Sequence, residues 1–114
     1  VCIGDAYITD KMMVDGVTPF LGEGDSMEVF FFGERDKTAM RDIAKAIETG
    51  QRESVAIPQG LMEAVEDADL IVVHLCPING NLIERAPKLQ AIMSCRGGLE
   101  NIDVQAATEH NITF

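Results

Sequence analysis

The sequence predicts an α/β domain built on an open parallel sheet with helices on both faces. Three observations lead there. Short apolar runs alternate with segments of helical apolar periodicity, the order that makes parallel strands joined by crossover helices. The helical segments are bracketed by capping residues, Thr or Asp before and Gly or Asn after. A length of 114 residues with 46% hydrophobic and 25% charged side chains supports one core and is too short for two.

Residues 1–3 read as a short strand that breaks at Gly4-Asp5. Thr9 offers an N-cap to a helix ending near Phe20, with Met12, Met13, Val17 and Phe20 as its apolar positions and Pro19 trimming its last turn. Gly22-Glu23-Gly24-Asp25 is a polar turn. Residues 27–33 hold Val29-Phe30-Phe31-Phe32, whose content predicts a strand buried on both faces. Asp36 caps the next helix, where Met40, Ile43, Ala44 and Ile47 fall at i, i+3, i+4 and i+7 before Gly50 stops it. Residues 51–57 are polar and carry no clear period.

Pro58 suits the first turn of a short helix running to Asp67, with Leu61, Met62 and Val65 facing inward. Residues 70–75 form a third strand, apolar except for His74. The loop Cys76-Pro77-Ile78-Asn79-Gly80 leads to a short helix over 81–85 and a fourth strand over 89–94. Asp103 caps a helix bearing Val104, Ala106 and Ala107, Asn111 suits a left-handed terminator, and Ile112-Thr113-Phe114 starts a fifth strand. Five strands in this arrangement predict a flavodoxin-like three-layer sandwich of order 2-1-3-4-5, with the crevice between strands 1 and 3 as its switch point.

Nine basic against nineteen acidic residues give a formal charge of −10. Such a field repels phosphate backbones and anionic lipid, which excludes nucleic acid and membrane surfaces as general partners. A small anion is still compatible where backbone amides or a single cation overcome the field locally. The three cysteines, Cys2, Cys76 and Cys95, are an odd number without Cys-x-x-Cys spacing, so neither a disulfide framework nor a zinc site is indicated. Free thiols suit a reducing cytoplasm. No apolar run approaches the ~20 residues of a membrane span. The opening Val1, in place of Met, suggests a trimmed N-terminus.

Ligands of such sheets bind beyond the carboxyl ends of the strands. Residues 5–7, 74–77 and 94–98 meet at that rim. Gly97-Gly98 lets bare amides approach an anion without a Cβ in the way, and Arg96 beside them offers a forked charge to a carboxylate or phosphate. The same residues also suit a plain tight turn with a solvated arginine. His74 is a hydrogen-bonded rim residue or a catalytic one, and Cys76 and Cys95 are neighbouring thiols or inert core. Asp5, Asp10, Asn101 and Asp103 read as caps and turn residues. There is no Gly-x-Gly-x-x-Gly fingerprint, Walker motif or His-Glu-x-x-His. The residues by themselves reach an anion-tolerant rim on a parallel sheet.

Three strings carry a resemblance: Ala68-Asp69-Leu70-Ile71-Val72-Val73, Ala86-Pro87-Lys88-Leu89-Gln90-Ala91-Ile92, and Gly98-Leu99-Glu100-Asn101-Ile102-Asp103-Val104-Gln105-Ala106-Ala107-Thr108. In order and spacing they resemble the substrate-binding domain of D-isomer-specific 2-hydroxyacid dehydrogenases, phosphoglycerate dehydrogenase-like members in particular. The first 67 residues match only in their strand–helix alternation. The resemblance implies that residues 1–114 are the substrate-binding domain of an NAD-dependent oxidoreductase acting on the CH-OH group of a D-2-hydroxy acid. It implies that the substrate carboxylate rests on the amides of Gly97 and Gly98, with His74, Leu75 and Cys76 lining the pocket. It also implies a small anionic 2-hydroxy or 2-oxo acid as partner and a homodimeric parent. NAD(H) and the catalytic Arg, Glu and His would belong to a Rossmann domain absent from this chain, which would be inactive alone.

Two departures from the family pattern stand out. Arg96 replaces the first glycine of the usual Gly-x-Gly, and His74-Leu75 replaces the Arg-Ser pair of many phosphoglycerate enzymes. The second argues against 3-phosphoglycerate, and Arg96 points to another anionic substrate such as a sugar acid. The alternative reading is a non-catalytic flavodoxin-like regulatory or small-anion-binding module. A response-regulator receiver lacks its phosphoaccepting Asp here, because His74-Leu75 occupies the end of strand 3. A flavodoxin lacks its hydroxyl-rich phosphate loop, because residues 5–10 are acidic.

Overall fold

In the computed structural model, which describes residues 1–114, β1 (Cys2–Gly4), β2 (Val29–Phe31), β3 (Leu70–Val73) and β4 (Ala91–Ser94) lie parallel in the order β2-β1-β3-β4. The register sets Ile3 beside Phe30 and Val73, and Val73 beside Ser94. This is the expected topology up to the fourth strand. The fifth is not formed as a strand: Thr113 makes a single parallel bridge to Ala91, with Ile92 N donating to Thr113 O at 2.7 Å and Thr113 N to Gln90 O at 3.1 Å. The tail thus takes the expected place beside β4 while only one residue pairs.

The helices begin where capping side chains allow. Thr9 accepts from Met12 N and starts α1 (Asp10–Val17), after which Pro19 tightens the chain into a 3-10 turn over Thr18–Phe20. Asp36 accepts from Ala39 N and starts α2 (Lys37–Glu48), which ends before Gly50 at φ +88°. Asp103 accepts from Ala106 N and starts α5 (Val104–Glu109), and Asn111, at φ +57°, reverses the chain as a left-handed residue. The expected helix from Pro58 starts later. Gly60 sits at φ +86° and the helical turn α3 covers Leu61–Ala64, passing into a 3-10 turn over Val65–Asp67. The fifth helix, α4, covers Gly80–Glu84.

The two faces of the sheet are covered unequally. Ile3, Ile71, Val73 and Ile92 belong to one buried cluster with Met40, Ile47, Leu61, Val65, Ile83 and Ala107, so α2, α3, α4 and α5 share that face. Cys2 and Gly4 point the other way by strand alternation, and α1 packs there against β1 and β2. Gly4 makes this contact possible, because a Cβ on it would overlap the backbone of Thr9 and Asp10. On the same face Met93 and Leu70 are exposed. The expected double burial of β2 is corrected by its place at the sheet edge. Val29, Phe30 and Phe31 are half-buried, and only Phe32, just past the strand, is wholly enclosed. Phe31 instead lies under the Arg35 guanidinium, 3.9 Å from its ring centre.

Candidate functional site at the carboxyl rim

β1 ends at Gly4, which delivers Asp5 into the rim with no solvent exposure. A buried carboxylate needs every lone pair engaged, and Asp5 achieves this with four donors. Its Oδ1 accepts from Tyr7 N at 2.8 Å and Ile8 N at 3.0 Å. Its Oδ2 accepts from His74 Nδ1 at 2.8 Å and from Leu75 N at 3.2 Å. Because an ionised carboxylate only accepts, the Nδ1 of His74 carries a proton and Nε2 is the ring's free position. One buried charge therefore ties the loop after β1 to the loop after β3.

Asn101 is the second fully buried polar residue. Its Nδ2 donates to His74 O at 3.2 Å and to Cys76 O at 3.0 Å, fixing the loop after β3 from the opposite side. Ile78 N in turn donates to Asn101 O at 2.8 Å, so the segments on either side of β4 close on each other through a parallel bridge between Ile78 and Ile102. Reading Asn101 as a turn residue misses this clamp, as reading Asp5 as a helix cap misses the His74 contact. An acid placed between an apolar strand and Ala6 is the one signal in the sequence that points to a buried carboxylate.

A cleft of about 510 Å³ opens above these loops, lined by Tyr7, His74, Leu75 and Arg96 from the rim and by Arg41, Ala44, Lys45 and Glu48 from α2. Arg41, Ala44, Lys45 and Glu48 are spaced i, i+3, i+4 and i+7, so one side of α2 forms a wall of the cleft. Arg96 is drawn in, its side chain 13% exposed, with Nη2 at 3.6 Å from Glu48 Oε1 and 3.5 Å from Glu100 Oε2. Its Nη1 is buried and has no partner. Gly97 has open space where a Cβ would stand, whereas Gly98 lies directly against the Glu100 carboxylate.

Of the residues singled out by sequence, the structure brings His74, Leu75 and Arg96 to one cleft, with Gly97 and Gly98 following Arg96 in the turn after β4. Cys76 faces the core instead. Its thiol donates weakly to Pro77 O at 3.6 Å, and burial, with the charge of Asp5, pushes its ionisation far above the ordinary thiol range. No three His, Cys, Asp or Glu side chains stand close enough to hold a metal ion, and no helix is long and apolar enough to cross a membrane. A dinucleotide does not fit the turn between β1 and α1. The Tyr7 and Ile8 amides that would face a pyrophosphate are already taken by Asp5, itself an anion. A second groove, of about 410 Å³, lies at the amino ends of β1 and β3; it is lined by Asp25, Glu28, Asp67 and Asp69 and by no side-chain cation, so it does not suit an anionic ligand.

In open parallel α/β sheets, the rim beyond the carboxyl ends of the strands at the switch point is the usual place for a ligand cleft. The chain belongs to the D-isomer specific 2-hydroxyacid dehydrogenase family, with residues 28–114 matching its catalytic domain. The match reaches back through α2 and β2, well before the motifs at Ala68. The chain is also similar to the D-3-phosphoglycerate dehydrogenase of Methanocaldococcus jannaschii, at 43% identity over 53 residues. Those residues are 46% of this chain and span 10% of the length of that protein.

Proposed function

We propose that this domain holds the substrate of an NAD-dependent D-2-hydroxyacid dehydrogenase. The observation that carries the reading is the convergence of His74, Leu75 and Arg96 on one rim cleft, beside Gly97-Gly98, in a chain of this family. In this reading the amides of Gly97 and Gly98 and the guanidinium of Arg96 receive the substrate carboxylate, and the reaction interconverts a hydroxyl-bearing carbon and a carbonyl by hydride exchange with NAD(H). The fixed loops hold the acid in one orientation, which lowers the entropic part of the barrier. NAD(H) is taken by a nucleotide-binding unit beyond this chain, a division supported by the Asp5-filled turn after β1. His74 orients and contacts substrate, and Asp5 positions His74.

Steady-state assays of the protein carrying this chain, with NAD(H) and a panel of D-2-hydroxy and 2-oxo acids, test the reading. Turnover of at least one acid is expected, with Arg96→Ala raising KM much more than it lowers kcat. An unchanged KM in Arg96→Ala would remove Arg96 from the site, and no turnover of any acid would favour a small-anion-binding module without catalysis.

A further inference from the structure

The loop after β3 ends in Asn79-Gly80, the one Asn-Gly pair of the chain. Asn79 is the N-cap residue of α4, yet its side chain makes no hydrogen bond to the first amides of that helix, and its buried Oδ1 has no partner. Gly80 is the first helical residue, so its backbone N–H has no intrahelical acceptor. Asp103 stands against the pair. Its Oδ2 lies 3.0 Å from where a Cβ on Gly80 would be, while its Oδ1 is the oxygen that caps α5. Arg52 Nη2 is 3.8 Å from the same Oδ2. The close packing disfavours any side chain at position 80, which keeps the least hindered successor next to the asparagine. The other asparagines differ: Asn81, Asn101 and Asn111 precede Leu82, Ile102 and Ile112, whose side chains hinder the peptide nitrogen. The Asn101 amide also donates to two carbonyls, and Asn81 Oδ1 accepts from Leu82 N.

From this we infer that Asn79-Gly80 is a self-modification site, at which the asparagine becomes aspartate or isoaspartate with Asp103 as the base. Asp103 Oδ2, directly or through one water, takes the proton of the Gly80 nitrogen. That nitrogen forms a bond to Asn79 Cγ, the Cγ–Nδ2 bond breaks, and Nδ2 leaves with the proton as ammonia. Water then opens the resulting succinimide at either carbonyl and gives an aspartyl or an isoaspartyl residue. One water is consumed and one ammonia released. Asn79 has ψ 165°, which holds the Gly80 nitrogen to one side of Cγ, so attack follows a rotation that frays the first turn of α4. A helix of five residues opposes that rotation weakly. The isoaspartyl link adds a methylene to the main chain one residue past the bridge between Ile78 and Ile102, and either product adds a negative charge beside Asp103. The modification thus acts on the loop that carries His74 and Leu75.

The test ages the protein carrying this chain at mildly alkaline pH and physiological temperature. Peptide mass spectrometry follows residue 79, with electron-based fragmentation separating aspartate from isoaspartate. Time-dependent loss of the amide is expected at Asn79 and not at Asn81, Asn101 or Asn111. Asp103→Ser, which keeps an oxygen to cap α5, should slow the conversion roughly tenfold. Asp103→Asn, closer in shape, repeats the comparison should the serine variant fail to fold. A urea-unfolded sample gives the rate of the pair without the fold. An Asn79 amide that stays intact in the folded protein while it converts in urea overturns the site. An unchanged rate in the folded Asp103 variants overturns the role of the carboxylate.

Discussion

Asp5 and His74 lie 69 residues apart in sequence, and their side chains meet at 2.8 Å, Nδ1 donating to Oδ2. This contact joins the loops after β1 and β3 across the switch point of the sheet. It fixes both the position and the tautomer of the imidazole that reaches the cleft.

Replacing Asp5 tests how far that junction supports the rim. Asp5→Asn keeps the shape but offers one acceptor oxygen where two oxygens serve four donors. Buried donors are left unsatisfied, so a loss of about 3 kcal/mol in unfolding free energy is expected. Urea unfolding should show a lower midpoint with an unchanged slope. A wild-type midpoint would show that water replaces the carboxylate at no cost.

Asn101 offers a comparison of two replacements. Asn101→Ala leaves the His74 and Cys76 carbonyls without their side-chain donor, at a cost of about 1–3 kcal/mol. Asn101→Asp sets a carboxylate against those same carbonyl oxygens and should be the less stable of the two at neutral pH. Thermal unfolding of both variants checks the order.

Asp10 carries a pH signature. The hydrogen bond from Arg35, with its charge, holds the Asp10 carboxyl below its ordinary value of 3.8. A depressed folded-state value means the contribution is complete above the unfolded value and disappears as pH falls through the folded one. Asp10→Asn should therefore lower the melting temperature at pH 7, and the gap to wild type should close as the pH falls below the ordinary carboxylate range. A gap independent of pH would assign the effect to helix capping or packing.

The three thiols should react in sequence. Cys95 is exposed, whereas Cys2 and Cys76 are buried. Burial raises the pKa of all three and so disfavours the reactive thiolate, most strongly for Cys76. An aromatic disulfide reagent at pH 8 is expected to label Cys95 first and Cys76 only on unfolding. Labelling of Cys76 in the folded chain would show that the loop after β3 opens.

Glu100 pairs with Arg96 and lies against Gly98, where the proposed substrate carboxylate binds. Glu100→Gln removes a like charge from that place, and pyruvate affinity should rise roughly 2- to 5-fold. Equal affinity would place the carboxylate elsewhere on the rim.

Local chemistry made most of the fold legible. Thr9, Asp36 and Asp103 cap the helices they announce, Gly50 and Asn111 end helices where left-handed backbone is needed, and the parallel sheet follows from strand–helix alternation. What escaped depends on partners distant in sequence. β2 reads as a doubly buried strand because its composition cannot show that it lies at an edge. The tail reads as a strand, yet one residue pairs, since a strand's extent depends on how much of the chain reaches its neighbour's ladder. In the candidate site Arg96 and His74 were legible from chemistry at a strand end. Arg41 and Lys45 were not, because cations on the polar side of an amphipathic helix look alike whether they face water or a cleft.

Tyr7 has a consequence of another kind. The chain contains one tyrosine and no tryptophan, and that tyrosine lines the cleft with its hydroxyl donating to the Lys37 carbonyl. Under ultraviolet excitation, tyrosine emission from this chain originates at that single position. The cleft thus carries a built-in optical reporter, and its occupancy can be followed in the unlabelled molecule.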